Sequence, residues 1–153
     1  MYQVKNLKSF PGMEWDGWTA SLYRDGKKIG IVTDYGNGGE INIDISQEEL
    51  AMIIGHCESL PKEEMMGMSL SVTPDVFLGG LADNYEIERS IRKIIREKKT
   101  AVLIKEENGK ETLYEFGAPY SPGLAKKIRE KHGDKVVEIA NEREEYEGST
   151  AKK

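Results

Sequence analysis

Residues 40–57 read EINIDISQEELAMIIGHC, and the period of their apolar positions changes once, at Ser46. Before it, Ile41, Ile43 and Ile45 alternate with Glu40, Asn42 and Asp44, the period-2 signature of a strand with one covered face. After it, Leu50, Ile53, Ile54 and Cys57 recur at helical spacing, and Ser46 with Glu49 forms a capping box. An alternating strand that runs straight into an amphipathic helix predicts an α+β fold with an antiparallel sheet.

The pattern extends in both directions. Upstream, Trp18, Ala20 and Leu22 alternate with Thr19, Ser21 and Tyr23, and Asp25-Gly26 then leads into residues 27–33. Asp-Gly between two strand-like runs is a type I′ hairpin signal. Residues 2–7 add an edge strand, and 34–39 form a loop. Downstream, the helix over 46–58 ends near Leu60-Pro61, and a methionine-rich stretch, 61–72, reads as irregular. Thr73-Pro74-Asp75 opens a second helix that reaches about Lys98, with a break or kink expected at Gly79-Gly80, since glycine is costly inside a helix. Strands over 100–105 and 111–116 flank Asn108-Gly109. Ser121-Pro122 caps a third helix that ends at Lys131 or His132 with Gly133 as an αL stop, and 135–140 is a last strand. The expectation is one α+β domain over 1–140 with three helical regions, and a polar, frayed tail over 141–153.

Composition narrows the function. The chain has 153 residues, 32% of them charged and 38% hydrophobic. It has no apolar run approaching the ~18 residues of a membrane span. Polar residues follow Met1 directly, so no secretory signal is read, and Cys57 is the only cysteine. An intracellular, reducing compartment is the expectation. The net charge of −5 is uneven: residues 1–75 hold six basic and twelve acidic side chains. That balance argues against a general nucleic-acid binder. A basic run nevertheless stands between Arg89 and Lys105.

No candidate site carries a complete catalytic motif. His56 and Cys57 are neighbours on a helix and point about 100° apart, so a Cys–His pair is not formed, and Cys57 continues the apolar stripe. His132 lies far from His56, with no metal-ligand spacing. Asp16, Asp34, Glu40 and Asp44 read as solvated acids, and Pro74-Asp75 opens a helix instead of joining acids on adjacent strands. Gly36-Asn37-Gly38-Gly39 has the composition of a phosphate cradle, with Gly38 and Gly39 as candidate donors. The plainer reading is a hairpin connection. Residues 10–18 place Phe10, Trp15 and Trp18 within nine positions, suited equally to stacking on a base, anchoring a partner, or edge-of-core packing. Arg89, Arg92, Lys93, Arg96 and Lys99 fall on one side of the second helix, opposite its isoleucines. They are either a phosphate site or, more plainly, a solvated face paired with the acidic half. Met65-Met66-Gly67-Met68 reads as gap filling or as an adaptable surface.

The chain as a whole resembles a group of small accessory proteins of tailed bacteriophages and prophages. The resemblance rests on Phe10 with Gly12-Met13-Glu14, Gly17-Trp18, Leu22 to Lys28, Gly38-Gly39-Glu40, Lys99-Thr100, Ala118 to Pro122 and Lys131 to Asp134. It implies a gene that acts in the host bacterial cytoplasm against defence or metabolism. It supplies no catalytic residues.

Three functions remain. The first is sequestration of a nucleotide-type immune signal, with Arg89, Arg92, Lys93 and Arg96 on phosphate, Trp15 and Trp18 on the base, and Gly38 and Gly39 as backbone donors. The second is protein–protein inhibition of a host defence enzyme through the aromatic loop or the acidic sheet. The third is a metal-dependent nuclease or nucleotide hydrolase, disfavoured for want of a base, a nucleophile or ligand spacing. The first is the leading expectation. No cofactor, membrane contact or catalytic residue is implied, and a homo-oligomer would suit a pocket formed between protomers.

Overall fold

A computed structural model describes residues 1–65 and 68–146. The chain is α+β, as expected, and its strands sort into separate antiparallel sheets. It divides into two compact units, Met1–Glu86 and Ile87–Lys153.

The first unit opens with a four-stranded meander of β1 (Tyr2–Phe10), β2 (Gly17–Arg24), β3 (Lys27–Asp34) and β4 (Asn42–Ile45). The β2–β3 turn has Asp25 at φ 52° and Gly26 at φ 83°, the two positive φ values of the expected type I′ turn. β1 extends three residues beyond the expected edge strand, and Asn6 at φ 56° accommodates a bulge between Lys5 and Lys8. Helix α1 (Gln47–Ser59) starts where the capping box places it, with the Glu49 N–H donating to Ser46 Oγ at 3.2 Å. Its Ile53 and Cys57 join Val4, Leu22 and Val32 of the sheet in one buried cluster. Cys57 is therefore core, and burial pushes its thiol pKa up. His56 sits between the rings of Tyr2 and Phe77, with centroids 5.2 and 5.1 Å away.

Residues 61–72 depart from the irregular reading: β5 (Glu63–Met65) and β6 (Met68–Leu70) pair antiparallel. Met66 and Gly67 lie outside the described residues, and so does the role expected of the methionine run. Helix α2 (Pro74–Arg96) runs through Gly79-Gly80 without the expected break. Leu78 and Ala82, buried on either side of the glycines, supply packing that outweighs local propensity.

The second unit is built on β7 (Thr100–Lys105), with β8 (Glu111–Phe116) on one side and β9 (Val136–Ile139) on the other. Residues 100–104 are buried without a break, as suits a central strand covered on both faces. Ala101 and Leu103 pack with Ile91, Ile94 and Ile95 of α2. Val102 and Ile104 pack with Ala125 and Ile128 of α3 (Pro122–His132). Gly133 stops α3 with a positive φ, but its ψ of −130° lies outside the αL region expected there.

Two sequence expectations are corrected here. Residues 141–146 are ordered into 3₁₀ turns, and Asn141 is buried. The fraying expected from position 141 therefore does not begin there, because that segment carries hydrogen bonds and ion pairs that polar composition alone does not reveal. Lys99 lies beyond α2. The helix ends in a Schellman motif: the Lys99 N–H bonds the Ile94 carbonyl at 3.1 Å, the Lys98 N–H bonds Ile95 at 3.0 Å, and Lys98 has φ 62°. The ammonium of Lys99 is directed to Glu97 and Glu115, 3.6 and 3.5 Å away.

Candidate functional site

A meander places every second connection at the same end of its sheet. The β1–β2 loop (11–16) leaves beside the Phe10–Gly17 pair, and the β3–β4 loop (35–41) leaves from Asp34, which pairs with Trp18. The two loops are clasped together. The Gly36 carbonyl accepts the amides of Glu14 at 2.7 Å and Trp15 at 3.2 Å. The Gly36 N–H donates to Asp34 Oδ1 at 2.8 Å, closing an Asx turn. A Cβ on Gly12 would come within 2.9 Å of the Gly36 Cα and overlap the Trp15 carbonyl. Gly36, at φ 70°, is equally closed to a side chain, facing the Trp15 carbonyl and the Gly17 nitrogen. Glycine is required at both positions because backbone passes against backbone. The Phe10 ring covers Gly17 from the neighbouring strand.

The clasp carries large apolar side chains into solvent. Met13 is 91% exposed, Trp15 50% and Tyr35 53%. Glu14, Asp16 and Glu40 are exposed around them and Asp34 is half-buried, with no lysine or arginine in residues 10–18 or 34–41. Trp18, by contrast, packs against the buried cluster of the first unit. Strand parity separates the two tryptophans: Trp18 starts the alternating run, while Trp15 belongs to the loop. Met13 and Tyr35 were not among the expected site residues. Meander order was the available signal, since it brings two glycine-bearing loops to one sheet end.

Gly38, at φ 83°, and Gly39 lie on this loop. The Gly39 N–H already donates to Asn37 Oδ1 at 3.0 Å. With the Gly36 N–H also committed and Glu14, Asp34 and Glu40 carried on or beside the same two loops, the loop offers a phosphate little beyond its remaining amides.

Beside the clasp, an open groove of about 420 Å³ is lined by Glu40, Ile41, Ile43, Leu50, Thr73 and Asp75, among others. Asp75, at the start of α2, accepts the Ile41 N–H through Oδ2 at 3.1 Å. Among the described residues, no group of three His, Cys, Asp or Glu side chains is placed to hold a metal ion. No described helix is long and apolar enough to cross a membrane.

The basic candidates belong to the second unit, whereas the aromatic and glycine candidates belong to the first. Arg89, Arg92, Lys93 and Arg96 are all exposed on the last turns of α2. Their unit holds its other arginines in carboxylate forks. Arg143 engages Glu88 and Glu138 at 2.6 and 2.8 Å, and Arg129 engages Glu142, which also accepts the Tyr120 hydroxyl at 2.7 Å. No ion pair joins Arg92, Lys93 or Arg96 to another described residue.

No family model matches the chain, and neither a curated protein nor a solved structure matches it.

Proposed function

We propose that the protein is a binding module whose clasped loops dock onto a cationic surface of a partner protein. The observation that carries this reading is the exposure of Met13, Trp15 and Tyr35 on two backbone-clasped loops whose segments, 10–18 and 34–41, hold carboxylates and no lysine or arginine. Tryptophan and tyrosine are the commonest interface anchors, and they cost little conformational entropy when already held in place. A rim of one sign steers partners of the opposite sign and repels others. The resemblance to phage accessory proteins supports a host protein as the partner, with inhibition as the outcome of binding.

A photo-crosslinker, benzoyl-phenylalanine, installed at Met13 tests this in host cells, with the same probe at Tyr23 on the sheet as control. The expected result is one adduct specific to position 13, mapped to a Lys/Arg-rich patch and lost in Trp15→Ala. Equal adducts from both positions would overturn the reading.

A second reading, sequestration of a nucleotide-type signal, is supported by Arg92, Lys93 and Arg96, which are exposed and have no ion-pair partner among the described residues. Mass spectrometry of small molecules released by heat from protein incubated with host lysate tests it. A nucleotide retained by the native chain and lost in Arg92→Glu/Arg96→Glu would displace the docking reading.

A further inference from the structure

β4 closes one side of the four-stranded sheet, with β3 on one flank and no described strand on the other. Main-chain groups alternate sides along a strand, so one fixed residue sets the rest. A Cβ on Gly30 of β3 would overlap the Asp44 carbonyl, so the main-chain groups of Asp44, and with them those of Asn42, face β3. Those of Ile41, Ile43 and Ile45 face outward. The Ile41 N–H confirms this parity independently, because it leaves the sheet to meet Asp75. The outward N–H and C=O of Ile43 have no hydrogen-bond partner among the described residues, and they open onto the groove beside β4.

The groove has a recognisable chemistry. Ile41, Ile43 and Leu50 form its apolar part, Glu40 and Asp75 are carboxylates, and none of the described lining residues is basic. Asp75 has spent one lone pair on Ile41 and keeps acceptor capacity on both oxygens. Glu40 belongs both to this groove and to the clasped loop, so the groove continues the acidic rim.

We infer that the edge of β4 receives an extended, arginine- or lysine-bearing segment of the partner protein as a fifth strand. The segment pairs with the main chain of Ile43, sets an apolar side chain on Leu50 and directs its cation to Glu40 and Asp75. Strand addition draws affinity from main-chain bonds and specificity from alternate side chains. The charge argues against a second copy of this chain, whose β4 would add Glu40 and Asp44 to an edge that already carries the same carboxylates. The identity of the partner rests on the docking reading above, whereas the free edge stands without it.

The test uses two degenerate peptide libraries of about nine residues, rich in Val, Ile and Thr and differing only in a central Arg or Glu. Binding is read by fluorescence anisotropy and by hydrogen exchange at the Ile43 amide. The Arg library is expected to bind at least about tenfold tighter than the Glu library and to protect that amide. Ile43→Pro removes an outward N–H while leaving the bonds of Asn42 and Asp44 to β3, and it should weaken binding about tenfold. Glu40→Lys, at an exposed position, should reverse the preference between libraries and does not depend on how the proline is tolerated. Equal affinity for the two libraries, an unprotected Ile43 amide, or a self-association of the unsubstituted chain that by itself protects the Ile43 amide would each overturn the inference. Libraries that fail while the Met13 crosslink persists would sink the groove alone, and the converse would sink the loop reading alone.

Discussion

Trp15 and Gly36 are joined by an amide-to-carbonyl bond of 3.2 Å across two loops that are separated in sequence by the whole of β2 and β3. The bond exists because Gly12 and Gly36 let the two backbones meet. Gly36→Ala must place a Cβ against the Trp15 carbonyl at φ 70°, combining left-handed strain with a backbone clash. We expect a loss of about 2–4 kcal/mol in urea unfolding, together with loss of the Met13 crosslink. Gly38→Ala is the control: it also has a positive φ, but the nearest atom to its added Cβ is 3.9 Å away. It should cost only about 1 kcal/mol and keep the crosslink.

Asn141 acts as a substitute strand residue beside β7. Its Oδ1 accepts the Ala101 N–H at 2.8 Å, and its Nδ2 donates to the Lys99 carbonyl at 3.0 Å. Asn141→Leu removes both partners, leaving the buried Ala101 N–H and the part-buried Lys99 carbonyl unpaired. The expected loss is about 2–4 kcal/mol in chemical denaturation. A loss under about 0.5 kcal/mol would mean that water or a shifted backbone replaces the amide.

These two positions also mark how far the sequence was readable. The Asp25-Gly26 turn, the Ser46 and Ser121 caps and the α+β alternation could be read directly, because each is decided by residues within a few positions of one another. The clasp could not, since Gly12 and Gly36 become neighbours only once the order of the meander is known. Asn141 sits in a polar run with no apolar period, and nothing in its composition reveals a buried amide. Lys99 was placed on the helix face because a Schellman stop normally advertises itself with glycine, whereas here Lys98 takes the left-handed position. The basic residues of α2 were legible as an exposed face. Their ligand was not, because an arginine awaiting a phosphate and a solvated arginine have the same spacing.

The stop at Lys98 yields a stabilising prediction. A lysine at φ 62° bears a left-handed penalty that glycine escapes, and its side chain is exposed. Lys98→Gly should therefore raise stability by up to about 1 kcal/mol, read as a higher urea midpoint with an unchanged slope. A neutral or destabilising result would mean that the lysine side chain contributes more than its backbone strain costs.

Arg143 ties the segment after β9 to the rest of its unit, and acid should loosen that tie. Its hydrogen bond holds the Glu138 carboxyl below the ordinary value near 4.5, against the opposing effect of partial burial. The Arg129 guanidinium, assisted by the Tyr120 hydroxyl, does the same for Glu142. Arg24 lowers Glu49 in the first unit in the same way. A carboxyl whose folded pKa lies below its unfolded value stabilises the fold above the unfolded pKa, and the contribution disappears as pH falls through the folded one. Thermal melts should thus show little change from about pH 7 to 5 and a falling Tm below about pH 4.5. Arg143→Met removes the depression at Glu138, so its Tm should be lower at neutral pH and decline less steeply on acidification. Parallel curves for the two proteins below pH 4.5 would show that the Arg143 fork contributes no proton-linked stability.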